Sequence, residues 1–186
     1  MADGYKTVAY SQTTLSELMI PSYSNFGGKI HGGVILSLMD KVAYVCAAKH
    51  ADAYCVTASI DTVDFLAPVE VGEIVSLLAS VNYVGTSSLI IGIKVVSENV
   101  KTRVMKHTNT SYFTMVALDD NNKPVQVPGL ILQNSNEIRR FYEATRRKEF
   151  KKVYKAEQIK IKASTDIEDY LETLKDERCV IEGKFA

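Results

Sequence analysis

The chain lacks several things, and each shortage closes off a class of function. It has no excess charge of either sign, with 22 Lys and Arg against 22 Asp and Glu. No overall field therefore draws it to nucleic acid or to an anionic membrane, and neither is expected as a partner. Cysteine is scarce and odd in number. Cys46, Cys55 and Cys179 show no metal-ligand spacing and read as reduced thiols of a cytoplasmic protein. Of only three histidines, His50 and His107 have no His, Cys or carboxylate partner at ligand spacing, so no metal is expected. Long apolar runs are missing as well. The most apolar stretch, Val34 to Ala48, is interrupted by Asp40 and Lys41 and is too short to cross a bilayer. The opening residues, Met-Ala-Asp-Gly-Tyr-Lys, lack the charged-then-apolar order of a secretion signal. There is no G-x-S-x-G elbow, no Walker loop, no G-x-G-x-x-G after a strand, no internal repeat and no low-complexity tract.

What is present is an ordinary core-forming composition, 46% apolar and 24% charged over 186 residues, which fits one domain with an extension. Thr7 to Ile20 alternates in part and predicts one or two short strands. Pro21 stops that run, and Ser22 to Gly33 is a loop dense in turn-formers. Val34 to about His50 has no Pro or Gly and carries Ile35, Leu38, Met39, Val42, Val45 and Cys46 at helical spacing. With Leu36, Ala43 and Ala47 added, this helix is apolar almost all round and is expected to be covered on most sides. Four strand-like runs come next, roughly Val56–Phe65, Ile74–Val84, Ser88–Ser97 and His107–Leu118, and the short links between neighbours predict antiparallel pairing. Asn134 with Glu137 three residues on predicts a capped helix start, continuing through a stripe of Ile138, Phe141, Tyr142 and Thr145 to about Lys155. "DIEDYLETLKDE", Asp166 to Glu177, reads as another short helix. The order predicts an α+β domain in which an antiparallel sheet curves around one central helix.

The chemistry gathers in "NFGGKIHGGVILSLMD", Asn25 to Asp40. Gly32 and Gly33 precede the apolar helix, where the first N–H groups have no intrahelical partner and the helix end favours negative charge. That is either an oxyanion hole for acyl transfer or a plain tight turn. Asp40 lies seven residues past Gly33 (40 − 33 = 7), two turns on and so on the same face. Asp is a poor mid-helix residue. Asp40 is either a buried carboxylate needing a partner or the mark of an exposed edge. Asn25 offers an amide to a carbonyl or water, or merely forms an Asx-turn. His31 is a general base by its usual pKa, but no Ser or Cys stands beside it, which favours a positioning or turn role.

"N-x-x-G-x-x-H-G-G" followed by "L-x-x-M-D" resembles the acyl-CoA thioesterases of the hotdog fold. "VTASIDTVDFLAPVEVGEIV", "VNYVGTSSL" and "FTMVALDDNNKPVQVP" downstream, with "TLSELMIPSYSN" upstream, resemble the brain-type and YciA-like branch in order and spacing. The resemblance covers about Thr14 to Pro128. It implies a hotdog domain over residues 1–155, with 156–186 an extension of unknown role. It also implies hydrolysis of acyl-CoA to free acid and CoA, with no cofactor beyond the CoA of the substrate. Two hotdogs would pair with active sites shared across the dimer, and dimers would assemble into hexamers. Asp40 of one protomer would act as base or nucleophile and Asn25 of the other would orient water or carbonyl, while the Gly33 N–H polarised the thioester. His31, Gly32 and the loop of Gly85, Thr86, Ser87 and Ser88 would contact substrate. This loop departs from the family, which commonly carries Arg between the Gly and the Thr-Ser pair. Lys101, Arg103 and Lys106 are candidate replacements for that phosphate contact. The Arg139/Arg140 and Arg146–Lys148 clusters read as a solvated helix face. A non-catalytic acyl-CoA-binding hotdog, a sensor or carrier, is the alternative function.

Overall fold

The computed structural model describes residues 4–163 and 167–183. Residues 1–3, at the head of the expected unsignalled N-terminus, lie outside the described residues. So do 164–166 and 184–186 of the expected extension. The chain divides into two units, residues 1–145 and 146–186.

The first unit is built on helix α2, Gly32–Ala51, and five antiparallel strands. These are β2 (Thr13–Leu18), β3 (Tyr54–Ile60), β4 (Glu73–Val84), β5 (Ser88–Asn99) and β6 (Met105–Leu118), in the order β2-β4-β5-β6-β3. Val75, Leu77, Ala79 and Val81 of β4 face inward at period two. So do Leu89, Ile91, Ile93 and Val95 of β5 and Phe113, Met115 and Ala117 of β6. They meet Ile35, Leu38, Met39, Val42, Ala43, Cys46, Ala47 and Ala51 of α2 to form the core. That helical stripe follows the expected spacing but omits Val45, which is exposed with Tyr44. The expectation of a helix covered on most sides is therefore corrected for the protomer: the sheet covers one flank only.

Some short elements escaped the sequence reading. Val8–Ser11 is a single helical turn, α1, rather than strand. Thr7 caps it by accepting from the Tyr10 N–H, and the turn carries buried Ser11 to within 3.3 Å of His50 Nδ1. The other ring nitrogen of His50 lies 3.1 Å from the Pro128 carbonyl, and burial lowers the histidine pKa. Strand β1 (Tyr5–Thr7) pairs in parallel with β7 (Gly129–Ile131) as a separate two-stranded sheet. Lys6 then donates to the last carbonyls of α2, at Lys49 and His50, and pairs with Asp52 at 2.5 Å. A cation there complements the helix dipole.

Strand β3 ends at Ile60, five residues before the expected Phe65. A register shift falls between Thr57 and Ser59. Side chains of β6 hold the segment beyond Ile60, Asn109 Nδ2 donating to the Asp64 carbonyl and Ser111 Oγ to that of Asp61. Helix α3 runs Ser135–Ala163, past the expected end, and Asn134 Oδ1 accepts from the Glu137 N–H as the capping pattern requires. Its expected stripe is corrected. Ala144 is the buried residue and Phe141 packs on Tyr83 at 5.2 Å, whereas Ile138 and Tyr142 are exposed. In the second unit, α4 spans Ile167–Thr173; Asp166, the first residue of the segment read as helix, lies outside the described residues.

Burial pushes the Cys46 thiol up to about 12 and the Cys55 thiol up to about 11. A raised thiol pKa leaves almost no thiolate at neutral pH. Alkylation of the folded chain at pH 8 is therefore expected to mark exposed Cys179 and spare both others until denaturant is added; peptide mass mapping checks this.

Candidate active site

Helix α2 starts at Gly32, with His31 as its cap in extended backbone. The His31 ring turns back so that Nδ1 accepts from the Gly33 N–H at 2.9 Å. A β-carbon at Gly33 would lie 3.0 Å from that nitrogen, and one at Gly32 would lie 3.0 Å from the Phe65 ring. The glycine pair thus admits two close neighbours that a side chain would displace. The N–H expected to polarise a carbonyl is engaged, in this structure, by the protein's own histidine.

Asn25 shapes the loop before the helix. Its Oδ1 accepts from the N–H groups of Gly27 and Lys29 at 2.9 and 3.2 Å, an Asx-type turn. Its Nδ2 has no partner among the described residues. Asn25 and Gly32 line a cleft of about 390 Å³ whose apolar wall is Ile30, Ile35, Phe65 and Val69.

Asp40 sits two turns into α2 on the flank the sheet leaves bare. It is exposed in the protomer, so no desolvation has to be offset there. Its Oδ1 accepts from Thr57 Oγ at 2.6 Å, the short distance expected of a charge-assisted bond. Asp40 and Thr57 line a cleft of about 470 Å³ with Tyr44, Tyr54 and Val56. Lys41 lines both this cleft and a neighbouring one of about 400 Å³ that contains His31 and Gly33. The helix start and the carboxylate are therefore served by adjoining hollows along one flank.

Thr57 was missed in the sequence, although a signal existed. From Asp40 to the end of α2 at Ala51 is eleven residues, about 17 Å of helix. From Asp52 back along β3 to Thr57 is five residues, about 17 Å of strand. A chain that doubles back at Asp52 returns to the level of Asp40 at Thr57.

Other candidates are placed apart. The structure does not bring Asn25 and Asp40 into one cleft of the protomer. Gly85, Thr86, Ser87 and Ser88 form the β4–β5 turn, with the Gly85 N–H on the Ser88 carbonyl at 2.7 Å. The Thr86 and Ser87 carbonyls accept from Val127 and Ala117, and the loop lines none of the three clefts. Arg103 is paired with Glu98 at 3.0 Å. Lys106 is paired with buried Glu73 at 2.8 Å and donates to the Pro68 carbonyl. Burial alone would raise the Glu73 pKa, but Lys106 and the Glu70 N–H outweigh it and hold the carboxyl below its usual value.

Residues 27–104 match the Thioesterase superfamily. Protein VdlD of Helicobacter pylori is 45% identical over 145 residues, covering 78% of this chain and 83% of that one. The uncharacterized acyl-CoA thioester hydrolase YkhA of Bacillus subtilis is 38% identical over 128 residues, 69% of this chain and 74% of that one. Among solved structures, an apo-hexameric acyl-CoA thioesterase superposes with a TM-score of 0.80 at 37% identity, covering 82% of this chain and 97% of that one. The acyl-CoA hydrolase of Staphylococcus aureus, in complex with butyryl coenzyme A, coenzyme A and coenzyme A disulfide, gives 0.76 at 31% identity, covering 86% and 99%. Variants of that enzyme in which one Asp, one Thr or one Asn is replaced by Ala superpose equally well.

Proposed function

The chain belongs to the thioesterase superfamily, with the hotdog fold, and is an acyl-CoA thioester hydrolase; we propose that Asp40 is its general base and that Asn25 reaches the same thioester from a second protomer. One observation carries the assignment. The three substituted positions of the S. aureus hydrolase fall fifteen and seventeen residues apart, as Asn, Asp and Thr in chain order. Asn25, Asp40 and Thr57 repeat that order and spacing here (40 − 25 = 15; 57 − 40 = 17).

The mechanism is built on this geometry. Thr57 occupies Oδ1 of Asp40, which leaves Oδ2 to take a proton from water as the water oxygen attacks the thioester carbon. Negative charge then develops on the carbonyl oxygen at the start of α2, where backbone donors and the helix end stabilise it. The Gly33 N–H joins them once exposed His31 swings off it, while Asn25 Nδ2 donates to the carbonyl or holds the water. Collapse breaks the C–S bond, and the CoA thiolate leaves and takes up the proton. No cofactor or metal enters any step.

Dimerisation supplies Asn25. Its cleft and that of Asp40 are separate in one protomer, and the bare flank of α2 exposes Tyr44 and Val45 beside Tyr54, with Phe26 fully exposed in the Asn25 loop. An isologous pairing of two such surfaces would bury these residues and enclose Asp40. Hexameric relatives support a trimer of such dimers. Residues 1–155 make up the catalytic domain and 156–186 an extension. The free Cys46 and Cys55 thiols suit a cytoplasmic setting, and no helix among the described residues is long and apolar enough to cross a membrane.

The deciding assay monitors free thiol release from an acetyl- to palmitoyl-CoA panel. Turnover with at least one chain length is expected. CoA-ester binding without thiol release at every length would replace the hydrolase with a carrier.

A further inference from the structure

A second polar hollow lies on the face of the sheet turned away from α2. Strand register lines up two rows across β4, β5 and β6. Ser80 pairs with Gly92 and Gly92 with Tyr112; one step along, Leu78 pairs with Lys94 and Lys94 with Thr110. Side chains alternate along a strand, so these residues oppose the core-facing set on all three strands. Helix α3 adds Arg139 and Arg140 above them, and the half-open hollow has a volume of about 270 Å³.

Four features make this more than a solvated helix face. Ser80 and Asn82 line the cavity although they are only 6% and 5% exposed. Arg140 reaches down to Ser80 Oγ at 3.5 Å, and Ser80 donates on to Asn82 Oδ1 at 3.1 Å. The Asn82 Nδ2 donor has no hydrogen-bond partner among the described residues. It lies across Gly92, where a β-carbon would overlap it, so the glycine keeps the floor open. The charge is one-sided as well. Lys94 and Arg140 meet no carboxylate among the described residues, and Arg139 is matched by Glu143 at 2.6 Å. Three cations against one anion leave the hollow at +2 (3 − 1 = 2).

We propose that this cavity binds a phosphate or diphosphate group, with Arg140 and Lys94 neutralising its charge and Asn82 Nδ2 and the Thr110 hydroxyl donating to its oxygens. A cation would be repelled, and an apolar ligand would leave the Asn82 donor unpaired. A phosphate offers acceptor oxygens in several directions at once, which suits donors converging from three strands and a helix. At about 30 Å³ per water, the volume corresponds to roughly nine waters, enough for a diphosphate and too little for a whole CoA. The phosphate has two possible sources: a free ligand, or the phosphate end of an acyl-CoA whose remainder lies elsewhere.

Calorimetric titration of the full chain with inorganic pyrophosphate, at low ionic strength, tests the site. One saturable site per chain is expected. Asn82→Leu and Arg140→Ala should each weaken binding tenfold or more, while Asp40→Ala leaves it unchanged, so that a failed hydrolase assignment and a failed site are told apart. No saturable binding, affinity unchanged from wild type in both site variants, or loss through Asp40→Ala instead would overturn the proposal. Should Asn82→Leu fail to fold, the exposed Arg140→Ala and Lys94→Ala decide between the same outcomes. Repeating the titration at saturating CoA separates the sources, and either result keeps the site. Competition, with a raised KM for acyl-CoA in Arg140→Ala, identifies the substrate's own phosphates; pyrophosphate binding beside CoA identifies a free ligand.

Discussion

Asp40→Ala lowers kcat by about 10²–10⁴-fold, the usual contribution of a positioned general base, and leaves the fold intact. The second half of that expectation comes from exposure. Asp40 is a surface residue of α2 in the protomer, it touches the protein through one hydrogen bond from Thr57, and alanine is the best helix former. Thermal melting should therefore change little while steady-state thiol release collapses. Thr57→Ala should fall between variant and wild type, because it frees Oδ1 without removing the base. Full activity with Asp40→Ala would exclude the assignment.

Mixing two dead proteins should give a live one. If each active site takes Asn25 from one protomer and Asp40 from the other, the Asn25→Ala and Asp40→Ala homodimers have no intact site. A mixed dimer has one intact site and one doubly defective site, as isologous symmetry requires. Equal amounts co-refolded at random give half mixed dimers, so about one quarter of wild-type activity per chain is expected. Recovery near zero would place both residues in one protomer, against the separate clefts they line.

The sequence made the central helix and the four longest strands readable because each is set by many residues at a fixed period. The α2 stripe from Ile35 to Ala51 and the period-two rows of β4 to β6 are long enough to survive one misplaced residue, as Val45 was. Short elements had no such redundancy. Val8, Ala9 and Tyr10 have ordinary strand propensities; what turns them into helix is the Thr7 cap and the burial of Ser11 against His50, a partner 39 residues away. Gly129–Ile131 comes directly after Pro128 and has nothing in its own composition to announce a strand, since its pairing partner is Tyr5–Thr7. The site divides in the same way. Asp40 was conspicuous because it violates the pattern of its own helix, and the glycines because they sit at a helix start. Thr57 fits its strand perfectly well, so only the return geometry of α2 and β3 reveals it. Ser80, Asn82 and Gly92 are ordinary strand-region residues in sequence and become a site only through cross-strand register.

The parallel pair of β1 and β7 has a consequence for how the molecule comes apart. Tyr5 is opposite Gly129, a contact spanning 124 positions (129 − 5 = 124), so this short ladder closes nearly the whole first unit into a loop. Such closure carries a large entropic penalty and a small enthalpic return, because only three residues pair on each side. The ladder is therefore among the last contacts to form in folding and among the first to open in the native state. Opening it releases Lys6 from the C-terminal carbonyls of α2 and exposes the His50–Pro128 bond together. The two ends of the unit thus fray as one event, and amide exchange at β1, β7 and the last turn of α2 should share a single opening rate.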